Sequence, residues 1–347
     1  MGFHSSDIKR YTRTFTQRGC ALVALLLLSA CNTAPLLTTP TSDPVTVRLN
    51  LFRGSSNIPI YMAVEKGYFA RQGIAPVITF TPNSEQQRAG LAAGAFDIAQ
   101  AAVDNAVAMR AVAEIPVVIV AGGDLGMNEL VASPDIGTPS DLHGHTLVVD
   151  APNTAYALIG RKILKNAGLV QGQDYQLAAL GGSESRTRAM ATLTGAATVL
   201  NPPWNLIAKG RGAKSLGSTA QLYGAYQAQG IFVLQPWAIK NAAVLERFLA
   251  AYIKGCRATQ DPAQRALTLK VLARELKLDA HIAELTYTEL NKPGSGMTRD
   301  CRFDQHGFEN VLALRAEMEG QWDGKPPQPQ QFLDLRYFDH ALKSIQP

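Results

Sequence analysis

Residues 146–200 read TLVVDAPNTAYALIGRKILKNAGLVQGQDYQLAALGGSESRTRAMATLTGAATVL, and their pattern decides the fold class. Thr146 to Val149 is a short apolar run and reads as a strand. Thr154 to Ala167 then carries apolar residues at helical spacing, with Gly168 just past the end, where glycine accepts the positive φ that stops a helix. Tyr175 to Leu180 returns as a strand, Ser185 to Leu193 as a helix and Ala197 to Leu200 as a strand. Parallel strands need a crossover of a dozen residues or more, and a helix is the usual one. The alternation therefore predicts an α/β fold with a mainly parallel sheet covered by helices.

The same alternation runs upstream. Val45, Val47, Leu49 and Leu51 alternate with Thr46, Arg48 and Asn50, as in a half-buried strand. A polar turn over 53–57 leads into a helix from Ile58 to Lys66, ended by Gly67. Pro76 to Phe80 reads as a strand. Ser84 with Gln87 forms a capping box for a helix stopping near Gly94. Phe96 to Ala102 is a strand, Asp104 caps a helix through Ala113, and Pro116 to Ala121 is an apolar strand covered on both faces. A break near 130–140 separates the two series, and beyond Ile231–Leu234 the chain turns mostly helical. Two α/β lobes with a helical return follow, although the halves share no visible repeat.

The chain has 347 residues, 46% of them hydrophobic, enough for two cores. Its formal charge of +5 comes from 33 basic and 28 acidic residues. Lys9, Arg10, Arg13 and Arg18 against Asp7 supply +3 of it within residues 1–30, so the body is close to neutral. No basic stripe for nucleic acid stands out. The basic residues precede an apolar run, Ala21–Leu28, then Ser29 and Ala30, the layout of a secretory leader. That run is too short to span a bilayer, which takes about 20 apolar residues. Leu28-Ser29-Ala30-Cys31 resembles a bacterial lipobox, which implies cleavage before Cys31, acylation of its thiol and anchoring in a membrane. Asn32 in place of Asp favours the outer membrane in a cell that has one. Residues 31–44 read as a tether. Cys256 and Cys301 remain, and an oxidising compartment permits a disulfide between them, with two separate buried thiols as the alternative.

Ala63-Val64-Glu65-Lys66-Gly67-Tyr68-Phe69 followed by Gly73-Ile74 resembles the first helix of the sulfonate/nitrate/thiamine-precursor (NMT1-like) family of ABC-transporter substrate-binding lipoproteins. Leu91 to Ile98, with Gly94 and Asp97-Ile98, resembles that family's L-x-x-G-x-x-D-I step, and Asp141-Leu142-His143-Gly144 its entry to the second lobe. Asn153-Thr154-Ala155-Tyr156 stands where the family binds ligand, and Gly181-Gly182-Ser183 with Arg186 at its later glycine turn. Family members often carry an Asp before the strand at Ala197, where this chain reads Leu193-Thr194-Gly195-Ala196. The resemblance implies a type II periplasmic binding protein fold, two lobes joined by a two-strand hinge. Lobe one is expected over 45–130 plus 234–347 and lobe two over 131–233, with crossings at Glu129–Ile136 and Ile231–Pro236. It implies an exported, lipid-anchored monomer that hands a sulfonate, carboxylate or pyrimidine-like solute to ABC permease and ATPase subunits, with no cofactor and no nucleic-acid partner.

Ligands of open parallel sheets sit at the C-terminal ends of strands. Ser55, Ser56, Asn57, Asp104, Asn105, Gly123, Asn153, Thr154, Gly182, Ser183, Arg186 and Asn201 are the expected ligand-binding residues. Helix N-termini there offer N–H groups, and Arg186 a charge, to an anion. Each has a plain structural counterpart, a cap or a turn. Trp204, Tyr223 and Tyr226 are candidates for stacking on a ring. His143 and His145 have no third metal ligand near them in sequence. No nucleophile-elbow, phosphate-loop or zinc-helix motif appears. The alternatives are a sensory binding protein for a membrane receptor and an enzyme of the thiamine-pyrimidine type, whose cysteine-rich motif is absent here.

Overall fold

The computed structural model describes residues 43–345 and the backbone of Lys9 and Arg10. The leader, the tether up to residue 42 and Cys31 otherwise lie outside the described residues. Eleven strands are described: β1 (Lys9–Arg10), β2 (Val45–Leu51), β3 (Ile74–Phe80), β4 (Ile98–Ala102), β5 (Val117–Gly122), β6 (Glu129–Ala132), β7 (His145–Val149), β8 (Tyr175–Ala179), β9 (Ala196–Leu200), β10 (Lys214–Ser218) and β11 (Gln229–Leu234). They form two sheets, one of order β1-β3-β2-β4-β11-β5 and one of order β10-β6-β9-β7-β8. In the first, β2 runs parallel to β3 and β4, and β11 is antiparallel to β4 and β5. In the second, β7 runs parallel to β8 and β9, while β6 is antiparallel to β9 and β10. Each sheet is the centre of one lobe.

The alternation in β2 places Val47, Leu49 and Leu51 in the core, and all six residues of β5 are buried, as a strand covered on both faces requires. The long helix Ala242–Gln260 buries Leu245, Phe248, Leu249, Tyr252, Ile253 and Cys256, an i, i+3, i+4, i+7 stripe that lies on lobe one. Gly255 belongs to the same face because a Cβ there would lie 2.0 Å from the Pro59 carbonyl oxygen. Cys256 is joined by a disulfide to Cys301, with Cα atoms 5.9 Å apart, which ties this helix to the turn Arg299–Cys301. No helix among the described residues is long and apolar enough to cross a membrane.

The structure departs from the sequence expectations in four places. Asn83, not Ser84, caps the helix Ser84–Ala92, its side chain accepting from the Gln86 amide. Val103 occupies the N-cap position expected of Asp104, because the Asp104 carboxylate is taken by an arginine 211 positions later. β10 forms over Lys214–Ser218, a stretch to which the sequence pattern assigns no element. The crossings also move. β6 pairs on both edges within the second sheet and β11 on both edges within the first, so neither spans the lobes. The chain passes from one lobe to the other over residues 123–128 and returns over 219–228. The helix Gln305–Glu319, built on lobe one, also touches Ala155–Asn166 of lobe two. There Arg161 pairs with Glu319 at 2.5 Å, and Lys162 and Lys165 pair with Glu317 at 2.7 and 2.9 Å.

Candidate binding site between the lobes

The ends of β2, β3 and β4 in lobe one face the ends of β7, β8 and β9 in lobe two. Between them lies a cleft lined by residues of both lobes, the kind of place where small-molecule sites form. Lobe one contributes Phe52, Arg53, Gly54, Ser56 and Asn57 after β2, Ser84 after β3, Gln100 and Ala102 from β4, Asn105 after it and Gln229 from the start of β11. Lobe two contributes Asp150, Thr154, Ala155 and Tyr156 after β7, Gly182, Ser183 and Arg186 after β8, and Asn201 after β9. The parallel order creates this meeting, since every βα turn of both lobes opens on the same side.

The two walls also bond to each other around the space. The Gly182 amide donates to Pro82 O at 2.8 Å, and the Ser84 amide to both Asp150 oxygens at 3.0 and 3.3 Å. Ser55 Oγ donates to Pro202 O at 2.7 Å, and Trp204 Nε1 to Arg53 O at 2.8 Å. Gln229 Nε2 donates to the Tyr156 hydroxyl at 3.1 Å.

Arg186 is buried, and its guanidinium is held by neutral acceptors: Thr198 Oγ1 at 2.9 Å, Gly181 O at 2.5 Å, Ser183 Oγ at 3.2 Å and Val199 O at 2.9 Å. Burial pulls its pKa down, while Asp150 and Tyr156 oppose the shift. Burial likewise pushes the Tyr156 phenol up, so it stays neutral. At the rim Arg53 stacks on Phe80, 4.0 Å from the ring centroid, and faces Glu184 at 3.9 Å. Among the described residues no group of three or more His, Cys, Asp or Glu is arranged to hold a metal. His143 faces Asp174 at 3.5 Å on the surface.

Residues 55–266, more than half of the chain, match the model of a family described as NMT1/THI5 like. The chain belongs to the NMT1/THI5-like family. It is 29% identical over 158 residues to the formylaminopyrimidine-binding protein of Halalkalibacterium halodurans, 45% of this chain and 46% of that protein, so the match spans under half of the relative. The nitrate-binding protein NrtA of Synechocystis PCC 6803 superposes with a TM-score of 0.70 at 13% identity, covering 88% of this chain and 90% of that one. The ligand-binding component of an ABC-type import system from Staphylococcus aureus, solved with zinc bound, gives 0.69 at 12%, covering 85% and 98%. At these identities the likeness establishes the fold, the two-lobed type II periplasmic binding protein fold.

Within this NMT1/THI5-like chain, Ser56, Asn57, Asn105, Thr154, Gly182, Ser183, Arg186 and Asn201 all line the space. Four other expected residues stand behind it. Ser55 clasps Pro202, and Gly123 packs on Gln229. The Asn153 carbonyl accepts from Arg315 at 2.8 Å. Asp104 forms a two-pronged pair with Arg315, both contacts 2.6 Å and both side chains buried. Trp204 packs with Val131, Leu200 and Ala208, and Tyr223 and Tyr226 pack on each other, so none of the three stacking candidates lines the space. Phe52 and Tyr156 are its aromatic residues. Gln100, Asp150 and Gln229 also escaped the sequence reading. The strand-end rule covers Asp150, which directly follows β7, whereas Gln100 lies inside a strand and carries no local signal.

Proposed function

We propose that this protein is the exported, lipid-anchored solute-binding component of an ABC-type importer, and that it captures a small polar organic solute between its lobes. The observation that carries this reading is the space closed by the ends of parallel strands from both sheets, with polar side chains of both lobes turned into it. Two connecting segments, 123–128 and 219–228, join the lobes, an arrangement suited to hinge closure. The lobes then comprise residues 43–122 with 229–345, and 129–218. A closed form is a shape that permease subunits recognise. Phe52 and Tyr156 suit a flat ring, and the relative that binds formylaminopyrimidine makes pyrimidines the first compounds to try. Leu28–Cys31 supports processing before Cys31 and anchoring on the periplasmic face, with the outer membrane favoured.

A thermal-shift screen of pyrimidines, sulfonates and carboxylates, followed by small-angle scattering with the best compound, tests the reading. A saturable stabilisation with compaction is expected. Binding without compaction refutes hinge capture. Cys31→Ser is expected to release the protein from membranes or stall its processing, and a processed variant that stays with membranes refutes the anchor.

A further inference from the structure

Two amides and one hydroxyl on the lobe-one wall direct a donor into the protein, whereas Ser84 Oγ on the same wall accepts from Asn105 Nδ2 at 3.1 Å and keeps its proton. Asn57 Nδ2 donates to the Phe52 carbonyl, and Gln100 Nε2 donates to the Ser56 carbonyl at 2.7 Å. A carbonyl oxygen only accepts, so these contacts fix which end of each amide is nitrogen and leave Asn57 Oδ1 and Gln100 Oε1 as the free ends. Gln100 is 1% exposed and lines the space, and its Oε1 has no partner. Ser56 Oγ donates to Asp124 Oδ2 at 2.8 Å. An ionised carboxylate cannot return a proton, so Ser56 has lone pairs alone to offer.

The lobe-two wall has the opposite sense. The Tyr156 hydroxyl accepts from Gln229 and Ser183 Oγ accepts from Arg186, which leaves both hydroxyl protons to donate. The first turn of the helix Ala155–Asn166 adds the amides of Ala155 and Tyr156. The charged acceptor on this side, Asp150, turns both oxygens onto the Ser84 amide, and Asn201 and Thr154 add neutral acceptors.

We propose that Asp124 is a positioning residue that holds Ser56 as a hydrogen-bond acceptor, so that the lobe-one wall selects a solute presenting amino or amide N–H donors and turns the solute's acceptor end toward lobe two. This rests on the cleft-binding reading above. An anion made only of acceptors, such as nitrate or a simple sulfonate, would set its oxygens against Gln100 Oε1, Asn57 Oδ1 and Ser56 Oγ and leave the buried Gln100 oxygen unpaired.

Asp124 lies outside the space, in the crossing segment 123–128. Its carboxylate also accepts from the Gly126 amide at 3.1 Å, and its carbonyl from Ala228 and Gln229 of the other crossing side. It makes no ion pair among the described residues. The titratable groups that feel its charge are the phenols of Tyr252, on the long helix, and Tyr156, across the space; burial pushes both up and neither ionises near neutral pH. Burial raises Asp124 itself to about 6, although Ser56 and backbone amides pull the other way. Below that pH the protonated carboxyl donates to Ser56 Oγ, and the Ser56 proton turns toward the solute. Selection for N–H donors then weakens.

The test is calorimetric titration of 4-amino-2-methylpyrimidine, its 4-methyl counterpart and methanesulfonate against the parent, Asp124→Asn and Ser56→Ala. Profiles run from pH 5 to 7.5, with thermal melts to confirm folding. The aminopyrimidine is expected to bind at least tenfold tighter than the other two at pH 7.5. Its affinity for the parent should fall through about pH 6, more steeply than for either variant; comparing profiles removes any titration of the probe. Should Asp124→Asn fail to fold, Ser56→Ala carries the comparison. Equal or tighter binding of the methyl compound or methanesulfonate overturns the inference and leaves cleft binding intact. The same pH profile in parent and variants overturns the role of Asp124. A panel that neither binds nor stabilises the protein overturns both.

Discussion

Replacing Asp104 by Ala separates a ligand contact from a structural counter-ion. The Asp104 carboxylate meets Arg315 Nε and Nη2 at 2.6 Å each, and the two side chains are 2% and 0% exposed. Burial alone would lower the Arg315 pKa, yet the attraction of Asp104 outweighs it and the guanidinium is held above its ordinary value. Removing Asp104 leaves that charge buried with only the Asn153 carbonyl and the more distant Glu319 carboxylate to offset it, a loss of about 3–5 kcal/mol. Whole domains have about 5–15 kcal/mol in total, so the loss is a large fraction of the reserve. Arg315 also donates to the Asn153 carbonyl, at the turn that leads into the binding wall. Urea unfolding followed by circular dichroism reads the change as a lower midpoint at unchanged slope. The double variant Asp104→Leu/Arg315→Met is expected to recover much of the loss, because it removes the unpaired charge together with its partner. A variant Asp104→Ala that unfolds within about 1 kcal/mol of the parent and still loses tenfold in solute affinity would refute this account, since Asp104 would then act on the ligand itself.

Other perturbations have similarly direct outcomes. Cys301→Ser opens a loop of 45 residues, and loop-closure entropy puts the cost at about 4 kcal/mol; denaturant midpoints of the variant and of the reduced parent should coincide. Gly255→Ala sets a methyl 2.0 Å from the Pro59 carbonyl oxygen, and the long helix must shift to relieve it. A loss of about 1–3 kcal/mol or more is expected in thermal melts. Glu317→Ala removes the partner of Lys162 and Lys165 between the lobes. Exposed pairs contribute about 0.2–1 kcal/mol each, so scattering should show a modest shift toward the open form at low salt, shrinking as salt is added. Protonation of Asp124 also bears on folding. Its folded pKa of about 6 lies above the ordinary 3.8, so its contribution to stability is greatest at low pH and falls as pH rises between these values. Stability measured from pH 4 to 7 should lose this slope in Asp124→Asn.

The fold was legible in the sequence where local pattern decides it. The period of Val47, Leu49 and Leu51, the helix stop at Gly168 and the glycine turn at 181–182 depend on a few neighbouring residues, and the strand-end rule then points to Ser56, Asn57, Thr154 and Ser183. The roles of charged residues were not legible, because their partners are remote. Asp104 reads as a cap until an arginine 211 positions away takes its carboxylate. Arg186 reads as a hand for an anion, and the sequence does not show that Gly181 O, Val199 O, Thr198 Oγ1 and Ser183 Oγ take up four of its five N–H donors while it still lines the space. Gln100 sits mid-strand, and its importance comes from the Ser56 carbonyl 44 positions upstream. The crossings were misplaced because β6 and β11 look like any apolar strands. Which sheet they join depends on pairing that periodicity does not encode.

The contacts between the lobes bear on what a solute must contribute. Those around the binding space are mostly neutral hydrogen bonds, such as Gly182 to Pro82 and Trp204 to Arg53, or a carboxylate on one amide, as for Asp150 and Ser84, with the wider Arg53–Glu184 pair at the rim. Each is worth about 0.5–1.5 kcal/mol net, because water satisfies the same groups when the lobes part. In the proposed hinge capture, closure also spends hinge freedom, which opposes these contacts in the balance between open and closed forms. A solute moves that balance by its differential affinity alone, and driving it from 1:99 to 99:1 takes about 5.5 kcal/mol. A molecule touching one wall binds both forms alike and moves nothing. A molecule whose donors reach Ser56, Asn57 and Gln100 while its acceptors reach Tyr156 and Ser183 makes half of its contacts in the closed form alone. If the proposed wall polarity holds, it would serve capture as well as selection: a solute of the wrong polarity would fail to hold the lobes together even where it fits the space.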